Sequence, residues 1–577
     1  MIDMSKYHKE ILCTVFFLLF LGTVLSTSAV YPTIKENLNK YTVTSDGVEI
    51  CFDVFEPKES TQQIKTGIIM GHGVAVNKEV YKIIAKELAS IGFVVVTFDF
   101  RSHGRSAGNF NFRLTQGLPE GFNFLVNDML AIKSYLASRG DINMTNLGYM
   151  GYSMGGGVGF EVLQNEYDFR AFVGLAPVPD FQRTNATRPP NLLILIGAYD
   201  EAIDFDSTFK VMQNRTGLDR SQLEIGKVYG NFEDGTASKL VIDEGTEHLF
   251  APYHKNFVME TRNWFYRALL GPNMPDISST PLIGVEATIS LTLLSGLLGI
   301  IVIGLFSFVV INNTRKIAKN EQLFTVKEQI QLTPLNKRDR MIILGTTVFL
   351  GYLCLIPLII LFLLPFIFAN VILLFFGGLA IAIYLLLKIH AKKNGYNLKA
   401  ELKQTLTTNG IHSYILGIVI GLIAYGFLAT SIGYLLGIVP HISEVPWMVA
   451  YGLIIFFTFF IFNFATEKWR QSVDPEKTIR MEPFQTKQML KDLGTVAGLI
   501  SLFISVMILL ICIAIGNMFL AMILILAIPL TLFVSLVSKL LKYQTGSLTI
   551  GAIFSGTVLS LIVITASPAI SIVAMLF

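Results

Sequence analysis

The sequence predicts a mostly parallel α/β sheet with helices on both faces, joined to an α-helical region that crosses a membrane many times. Three observations carry this. Up to about residue 270, short buried apolar runs alternate with helical segments, which is the pattern of strands paired in parallel through helical crossovers. From Ile283 on, apolar segments of about 20 residues follow one another, each long enough to span the hydrocarbon core of a bilayer. The whole chain is 52% hydrophobic and only 15% charged, a balance that excludes an ordinary soluble protein.

The soluble elements follow in order. Tyr41–Ser45 and Val48–Phe55 read as an opening hairpin around Asp46-Gly47. The apolar run Gly67–Gly71 reads as a buried strand and is followed by a helix from Lys78 to Ile91. Phe93–Phe98 is the next strand, with a helix near Phe122–Ser138. Asn146 to Met150 forms a strand that runs into Gly151-Tyr152-Ser153-Met154-Gly155 and a small-residue helix start at Gly156, Gly157 and Gly159. Phe169–Leu175, Asn191–Gly197 and Lys239–Asp243 are further buried strands, and Asn256–Leu270 is the last helix.

The G-x-S-x-G segment is the most informative stretch. In a strand–turn–helix setting, a sharp turn forces the serine into a strained backbone, and the residues two before and two after must be small. The helix N-terminus beneath it favours developing negative charge. A serine hydroxyl is a weak nucleophile until a base accepts its proton, and the partners appear downstream. Asp200 ends the strand at 191–197, and His248 sits in the loop after Lys239–Asp243. Histidine titrates near neutrality and can take and return the proton. The carboxylate fixes the imidazole tautomer. Asp200 is the preferred acid, with Asp204, Asp206 and Asp243 as alternatives. His248 is the preferred base, with His254 as the alternative.

Gly71-His72-Gly73, Asp99-Phe100-Arg101-Ser102-His103-Gly104-Arg105-Ser106, the Ser153 pentapeptide, Asp200 and His248 together resemble the α/β-hydrolase superfamily. The resemblance is to its dienelactone-hydrolase, serine-aminopeptidase and monoglyceride-lipase-like branches, over about residues 40–270. It implies acyl transfer through a Ser-His-Asp triad of Ser153, His248 and Asp200. It also implies an oxyanion hole built from the backbone N–H groups of Val74 and Met154, with Ala75 as the alternative to Val74 if the turn is one residue longer. His72 is read as structural. Asp99, Arg101 and His103 are read as ties within their loop. Ser102 departs from the superfamily pattern, which usually has glycine there. The chain from Ala176 to Pro190 is too short for a helical lid, so the site is expected to be open on that side. The loop Arg101–Gly121, with Phe110 and Phe112, is a candidate acyl-binding wall.

Eight spans are read at about 284–311, 341–365, 367–389, 411–438, 446–465, 494–515, 517–538 and 546–570, with Ile11 to Val30 as a ninth candidate. That first run reads equally as a retained anchor or as a signal cleaved near Thr27-Ser28-Ala29. Residues 284–577 hold 20 Lys+Arg and 11 Asp+Glu, and every basic residue falls in 315–340, 388–403, 468–491 or 539–542. By the positive-inside rule these loops are cytoplasmic, which puts residues 31–275 outside a plasma membrane. Lys6 and Lys9, before the first run, give the same orientation. Residues 31–283 carry 23 Lys+Arg against 29 Asp+Glu. That net −6 gives no electrostatic attraction to anionic headgroups.

The spans place almost no ionisable residue in their interiors: Glu286, Lys388, His390, His412 and Glu467 lie near span ends. This favours an anchor or a scaffold for lipids and partners over an ion-coupled transporter. Gly417-x-x-x-Gly421 marks close helix packing. Cys13, Cys354 and Cys512 fall in spans and Cys51 stands alone outside, so no outer disulfide forms within the chain. No metal spacing and no cofactor motif is present, and nothing suggests nucleic acid. Asn143, Asn185 and Asn214 head glycosylation sequons. The expected function is a membrane-bound serine hydrolase for a carboxylic ester, of a lipid or of a small acyl compound, or for a small peptide. The competing readings are a transporter or scaffold with a hydrolase-like binding domain, and an acyltransferase on the same triad.

Overall fold

In the computed structural model, the described residues are 8–59, 62–74, 76–108, 123–271, 280–317, 367–393, 397–407, 411–431, 444–473, 518–545 and 547–565. Isolated positions at 277, between 346 and 366, and at 433 and 494 are described as well. The chain forms two compact units. One comprises residues 22–295, with 431–441 and 565–577; the other comprises 1–21, 296–430 and 442–564.

The first unit is built on a nine-stranded sheet. Its strands are β1 (Ile34–Val43), β2 (Glu49–Pro57), β3 (Gly67–Gly71), β4 (Val94–Phe98), β5 (Leu147–Tyr152), β6 (Phe169–Leu175), β7 (Leu192–Gly197), β8 (Val228–Tyr229) and β9 (Ser238–Asp243). They lie in the order β1-β2-β4-β3-β5-β6-β7-β9-β8. β4, β3, β5, β6, β7 and β9 are parallel, while β1, β2 and β8 run antiparallel to their neighbours. Residues of β3, β4, β5 and β7 are buried throughout. Strands covered on both faces lose the polar alternation of a half-exposed sheet, which is why they read as continuous apolar runs.

The crossover helices are α2 (Lys82–Ser90), α3 (Asn123–Arg139), α4 (Met154–Val162) and α5 (Phe205–Thr216), and α6 (Lys255–Leu270) follows the last strand; an earlier helix, α1, covers His8–Ser28. A short 3-10 turn at Lys78–Tyr81 precedes α2, so the helix expected from Lys78 begins four residues late. β1 begins seven residues before the expected Tyr41. It is an edge strand with mostly exposed side chains, so its first half carries no apolar signal. Asn39, at φ 55°, marks a register shift between Asn37 and Lys40. Such a bulge also blunts a long free edge against pairing with other chains. The fold of this unit is that of the α/β hydrolases, as the strand order and the helix placement require.

The second unit is helical. Its elements are α7 (Ile283–Ile317, which enters from the first unit), α8 (Ile367–Lys393), α9 (Leu398–Thr407), α10 (Ile411–Ser431), α11 (Val445–Val473), α12 (Met518–Thr545) and α13 (Leu548–Thr565). Among the described residues, six helical segments are long and apolar enough to cross a membrane: His8–Ser28, Ile283–Ser307, Ile372–Lys392, Ser413–Ser431, Val445–Lys468 and Leu548–Thr565. The span read at 517–538 falls on α12. Those read at 341–365 and 494–515 lie almost wholly outside the described residues.

Small residues set the helix contacts. A methyl group on Gly417 would stand 2.9 Å from Ile550 O, and one on Gly421 would stand 2.8 Å from Thr557 Cβ, so this face of α10 packs directly on α13. Several polar groups inside this unit are paired. Tyr451 donates to Asn370 Oδ1 at 2.8 Å, Asn463 donates to Ser538 Oγ at 3.0 Å, and Lys542 and Lys468 pair with Glu467 and Glu401.

Candidate active site

Ser153 stands between the end of β5 and the start of α4, at φ 52° and ψ −114°. A non-glycine residue in this region costs about 1–3 kcal/mol. Three backbone hydrogen bonds hold the turn from both sides: Ser153 N–H donates to Leu175 O at 3.0 Å, Val178 N–H to Ser153 O at 3.0 Å, and Gly155 N–H to His72 O at 3.1 Å. The flanking glycines leave no room for side chains. A Cβ on Gly151 would lie 2.2 Å from Gly155 O, and one on Gly155 would lie 1.9 Å from Gly71 O. The size restriction read from the sequence is therefore a backbone-on-backbone contact.

The structure brings Ser153, His248 and Asp200 into one hydrogen-bonded line. Asp200 Oδ2 lies 2.8 Å from His248 Nδ1, and His248 Nε2 lies 3.0 Å from Ser153 Oγ. A carboxylate can only accept, so the neutral imidazole carries its proton on Nδ1 and presents the Nε2 lone pair to the serine hydroxyl. The second carboxylate oxygen of Asp200 accepts from Ala202 N–H at 3.0 Å and Ile203 N–H at 3.1 Å. Asp200 is 4% exposed and His248 2%, so the line is shielded from competing water.

The alternatives are engaged elsewhere. Asp204 caps α5 through Asp206 N–H and Ser207 Oγ. Asp206 pairs with Arg220 on the surface. Asp243 accepts from Gly245 N–H and Asn256 Nδ2 and lies 3.6 Å from His254.

Two backbone amides sit beside the serine. Met154 opens α4, where first-turn N–H groups have no intrahelical acceptor. Val74 follows Gly73, whose Cβ position would be 3.0 Å from Ser153 Cβ, so this turn packs against Ser153. Ala75, Phe110 and Phe112 lie outside the described residues.

His72 is fully buried. Its Nδ1 bonds Gly73 O at 2.7 Å, and its Nε2 accepts from Phe100 N–H at 3.0 Å. Burial pulls its pKa down to about 4, so it is a neutral tether between the β3 and β4 loops. Asp99 accepts from the amides of Lys78 and Arg105, and Arg101 bridges Asp128 and Asp46. His103 bonds Arg101 O at 3.1 Å. The loop is thus tied together through its charged residues. Ser102 adopts φ 67°, a left-handed conformation that accounts for the glycine usual at this position.

Sequence reasoning missed Lys78. It is read only as the start of a helix, yet it is 1% exposed and its ammonium lies 3.5 Å from Asp53 and 3.7 Å from Asp99. It missed the hold on His248 as well. Tyr152 Oη donates to His248 O at 3.0 Å, and the Glu247 carboxylate accepts from the amides of Leu249 and Phe250. A cavity of about 510 Å³ lies at the other end of the sheet, lined among others by Arg170, Arg188, Phe232 and Arg267. None of the three aligned side chains lines it.

This fold and this site place the first unit among α/β-hydrolase-fold proteins. A family model for serine aminopeptidase, S33, matches residues 62–213, about a quarter of the chain. Among solved structures, an esterase of Pyrococcus furiosus is 15% identical at a TM-score of 0.32, covering 41% of this chain and 94% of its own. A CIB-like hydrolase of Thermoplasma acidophilum is 18% identical at a TM-score of 0.30, covering 40% and 98%. No curated protein matches the sequence.

Proposed function

We propose that the protein is a membrane-bound serine hydrolase that cleaves a carboxylic ester, of a lipid or of a small acyl compound, or a small peptide. The observation that carries this reading is the continuous line Asp200–His248–Ser153 at 2.8 and 3.0 Å on a strained turn at a helix N-terminus. Ser153 Oγ attacks the substrate carbonyl as His248 Nε2 takes its proton. Asp200 holds the imidazole by Nδ1 and stabilises the imidazolium. The negative oxygen of the tetrahedral intermediate is held by the N–H groups of Val74 and Met154. His248 returns the proton to the leaving group, and an acyl-enzyme on Ser153 remains. Water, deprotonated by His248, then attacks that ester and releases the acid.

The short connection between β6 and β7, Ala176 to Asn191, builds no helix over the site among the described residues, which supports access for substrates with large leaving groups. The hydrolase unit lies outside the plasma membrane, on the charge asymmetry of the loops. The ion pairs Glu467–Lys542 and Glu401–Lys468 support an anchoring role for the helical unit, since these four charges are matched with one another.

The test is labelling of the full detergent-solubilised chain by a fluorophosphonate probe. Wild type is expected to label, Ser153→Ala not at all, Asp200→Asn more slowly by about four orders of magnitude and His248→Ala by about six. Absence of labelling in folded wild type overturns the reading. With labelling in hand, a panel of acyl esters and aminoacyl amides separates ester from peptide substrates. Thiol reagents applied to whole cells, with single cysteines placed at positions 210 and 327, read out the orientation.

A further inference from the structure

Tyr152 occupies an unspecified position of the G-x-S-x-G motif, and its surroundings are specific. It is fully inside the protein, 3% exposed, at the end of β5. Its hydroxyl donates to the main-chain carbonyl of His248 at 3.0 Å, across 96 residues of sequence. Its ring lies 5.3 Å from the His248 ring, tilted by 32°. Ser153, the next residue, meets the far nitrogen of the same histidine at 3.0 Å. Two consecutive residues therefore grip His248 at both ends, one on its backbone and one on its imidazole. The strained conformation of Ser153 fixes the angle between them.

The rest of the histidine loop is braced to the same purpose. The Glu247 carboxylate accepts from Leu249 N–H at 2.8 Å and Phe250 N–H at 3.0 Å. A Cβ on Gly197 would stand 2.4 Å from Thr246 O, so the loop rests directly on the end of β7. These contacts set the loop's curvature. Among the described residues, Tyr152 ties the loop to the strand that carries the nucleophile.

Resting on the hydrolase reading, we infer that Tyr152 is a positioning residue: its hydroxyl sets the height and tilt of His248 over Ser153, so that proton transfer is pre-aligned before substrate arrives. A base held on a loop alone would sample several orientations, and each excursion lengthens the Nε2–Oγ separation. Tying the carbonyl of the base to the nucleophile's own strand makes the two move together. This is proximity catalysis supplied by the scaffold. Tyr152 touches neither substrate nor the reacting atoms in this role.

Tyr152→Phe keeps the ring and removes only the hydroxyl. Its expected effect is a drop of about tenfold in kcat for a small ester and in fluorophosphonate labelling rate, with KM unchanged. The downfield imidazole N–H resonance of His248, read by NMR on histidine-labelled protein, is expected to broaden or move. A structural role alone would leave that resonance in place. Trp264→Phe is the stability control. It removes a buried hydrogen bond, Trp264 Nε1–H to Asn191 O at 2.8 Å, at the opposite end of the sheet. It is expected to lower the unfolding midpoint without changing kcat. Wild-type labelling with an unimpaired Tyr152→Phe overturns this inference alone. So does a loss in Tyr152→Phe that Trp264→Phe reproduces at equal destabilisation. An unlabelled wild type overturns the hydrolase reading, and this inference falls with it.

Discussion

One methyl group at Gly155 tests the geometry of the turn most directly. A Cβ there would lie 1.9 Å from Gly71 O, 2.5 Å from Gly71 C and 2.8 Å from His72 O. An ordinary carbon–oxygen contact is about 3.3 Å, so the nearest pair must separate by roughly 1.4 Å. Neither partner can rotate away, because both are main chain. β3 is held between β4 and β5 by parallel ladders, and Gly155 N–H is bonded to His72 O at 3.1 Å. The relief has to come from lifting the start of α4, which carries Ser153 with it. A displacement of that size breaks the 3.0 Å contact between Ser153 Oγ and His248 Nε2. Misplacement of a reacting group by about 1 Å costs on the order of a hundredfold in rate. Overpacking adds about 1–3 kcal/mol of destabilisation. Gly155→Ala is therefore expected to label with fluorophosphonate about a hundredfold more slowly than wild type. The comparison is Gly217→Ala, at the C-terminus of α5. That residue has φ +71° and open space around its Cβ position, so the change costs about 1 kcal/mol of backbone strain and leaves labelling untouched. A folded Gly155→Ala that labels at the wild-type rate refutes the reasoning.

Two further outcomes follow from buried charge. His72 is held neutral at a pKa of about 4 by burial, against about 6.5 in an unfolded chain. Between those values the unfolded state binds the extra proton, so stability falls as pH drops from 6.5 to 4, by up to about 3 kcal/mol. Urea unfolding at pH 7.5 and pH 4.5 reads this, and His72→Gln is expected to remove its share of the difference. His103, pulled down to about 3 by burial, contributes in the same direction and remains in that variant. Arg262, on α6 and 1% exposed, donates to Glu87 at 3.0 Å and to the carbonyls of Ile277 and Thr280. Arg262→Met leaves the Glu87 carboxylate buried without its cation and is expected to cost about 3–5 kcal/mol, read as a lowered unfolding midpoint. An unchanged midpoint counts against this account of the pair.

The parts of this molecule that were legible in the sequence are those decided by one residue type at one kind of place. Val94–Phe98 and Leu192–Gly197 are buried on both faces, and a run of apolar residues between polar loops can hardly be anything else. Ser153, Asp200 and His248 each stand just past the end of a parallel strand, where side chains from different crossovers meet above the sheet. The parts that were not legible depend on pairings between distant segments. Lys78 is buried because Asp53 of β2 and Asp99 after β4 reach it, and no local pattern marks a lysine for that fate. The Tyr152 hydroxyl and the His248 carbonyl meet only once β5 and β9 are placed in the same sheet. β8 is two residues long, and neither of its side chains is buried.

α4 shows why the candidate site is costly to encode. Its nine residues, Met154–Val162, include Gly155, Gly156, Gly157 and Gly159. Each glycine in a helix interior costs about 1 kcal/mol relative to alanine, so this is among the poorest helical sequences in the chain. The contacts explain the choice. A methyl group at Gly156 would meet Pro177 Cβ at 2.3 Å, and one at Gly159 would meet the Phe172 ring at 2.6 Å. Gly155, Gly156 and Gly159 could each give way to a better helix former only if α4 stood further from the strands and turns it packs on. Its N-terminus would then stand further from Ser153. The turn needs the helix dipole directly beneath the serine, and glycine is the residue that lets backbone approach backbone so closely. The unfavourable propensity is offset by burial, since eight of the nine side chains and backbones are buried. Substituting Gly156 or Gly159 by alanine would improve the helix in isolation and degrade the site, the reverse of what propensity alone dictates.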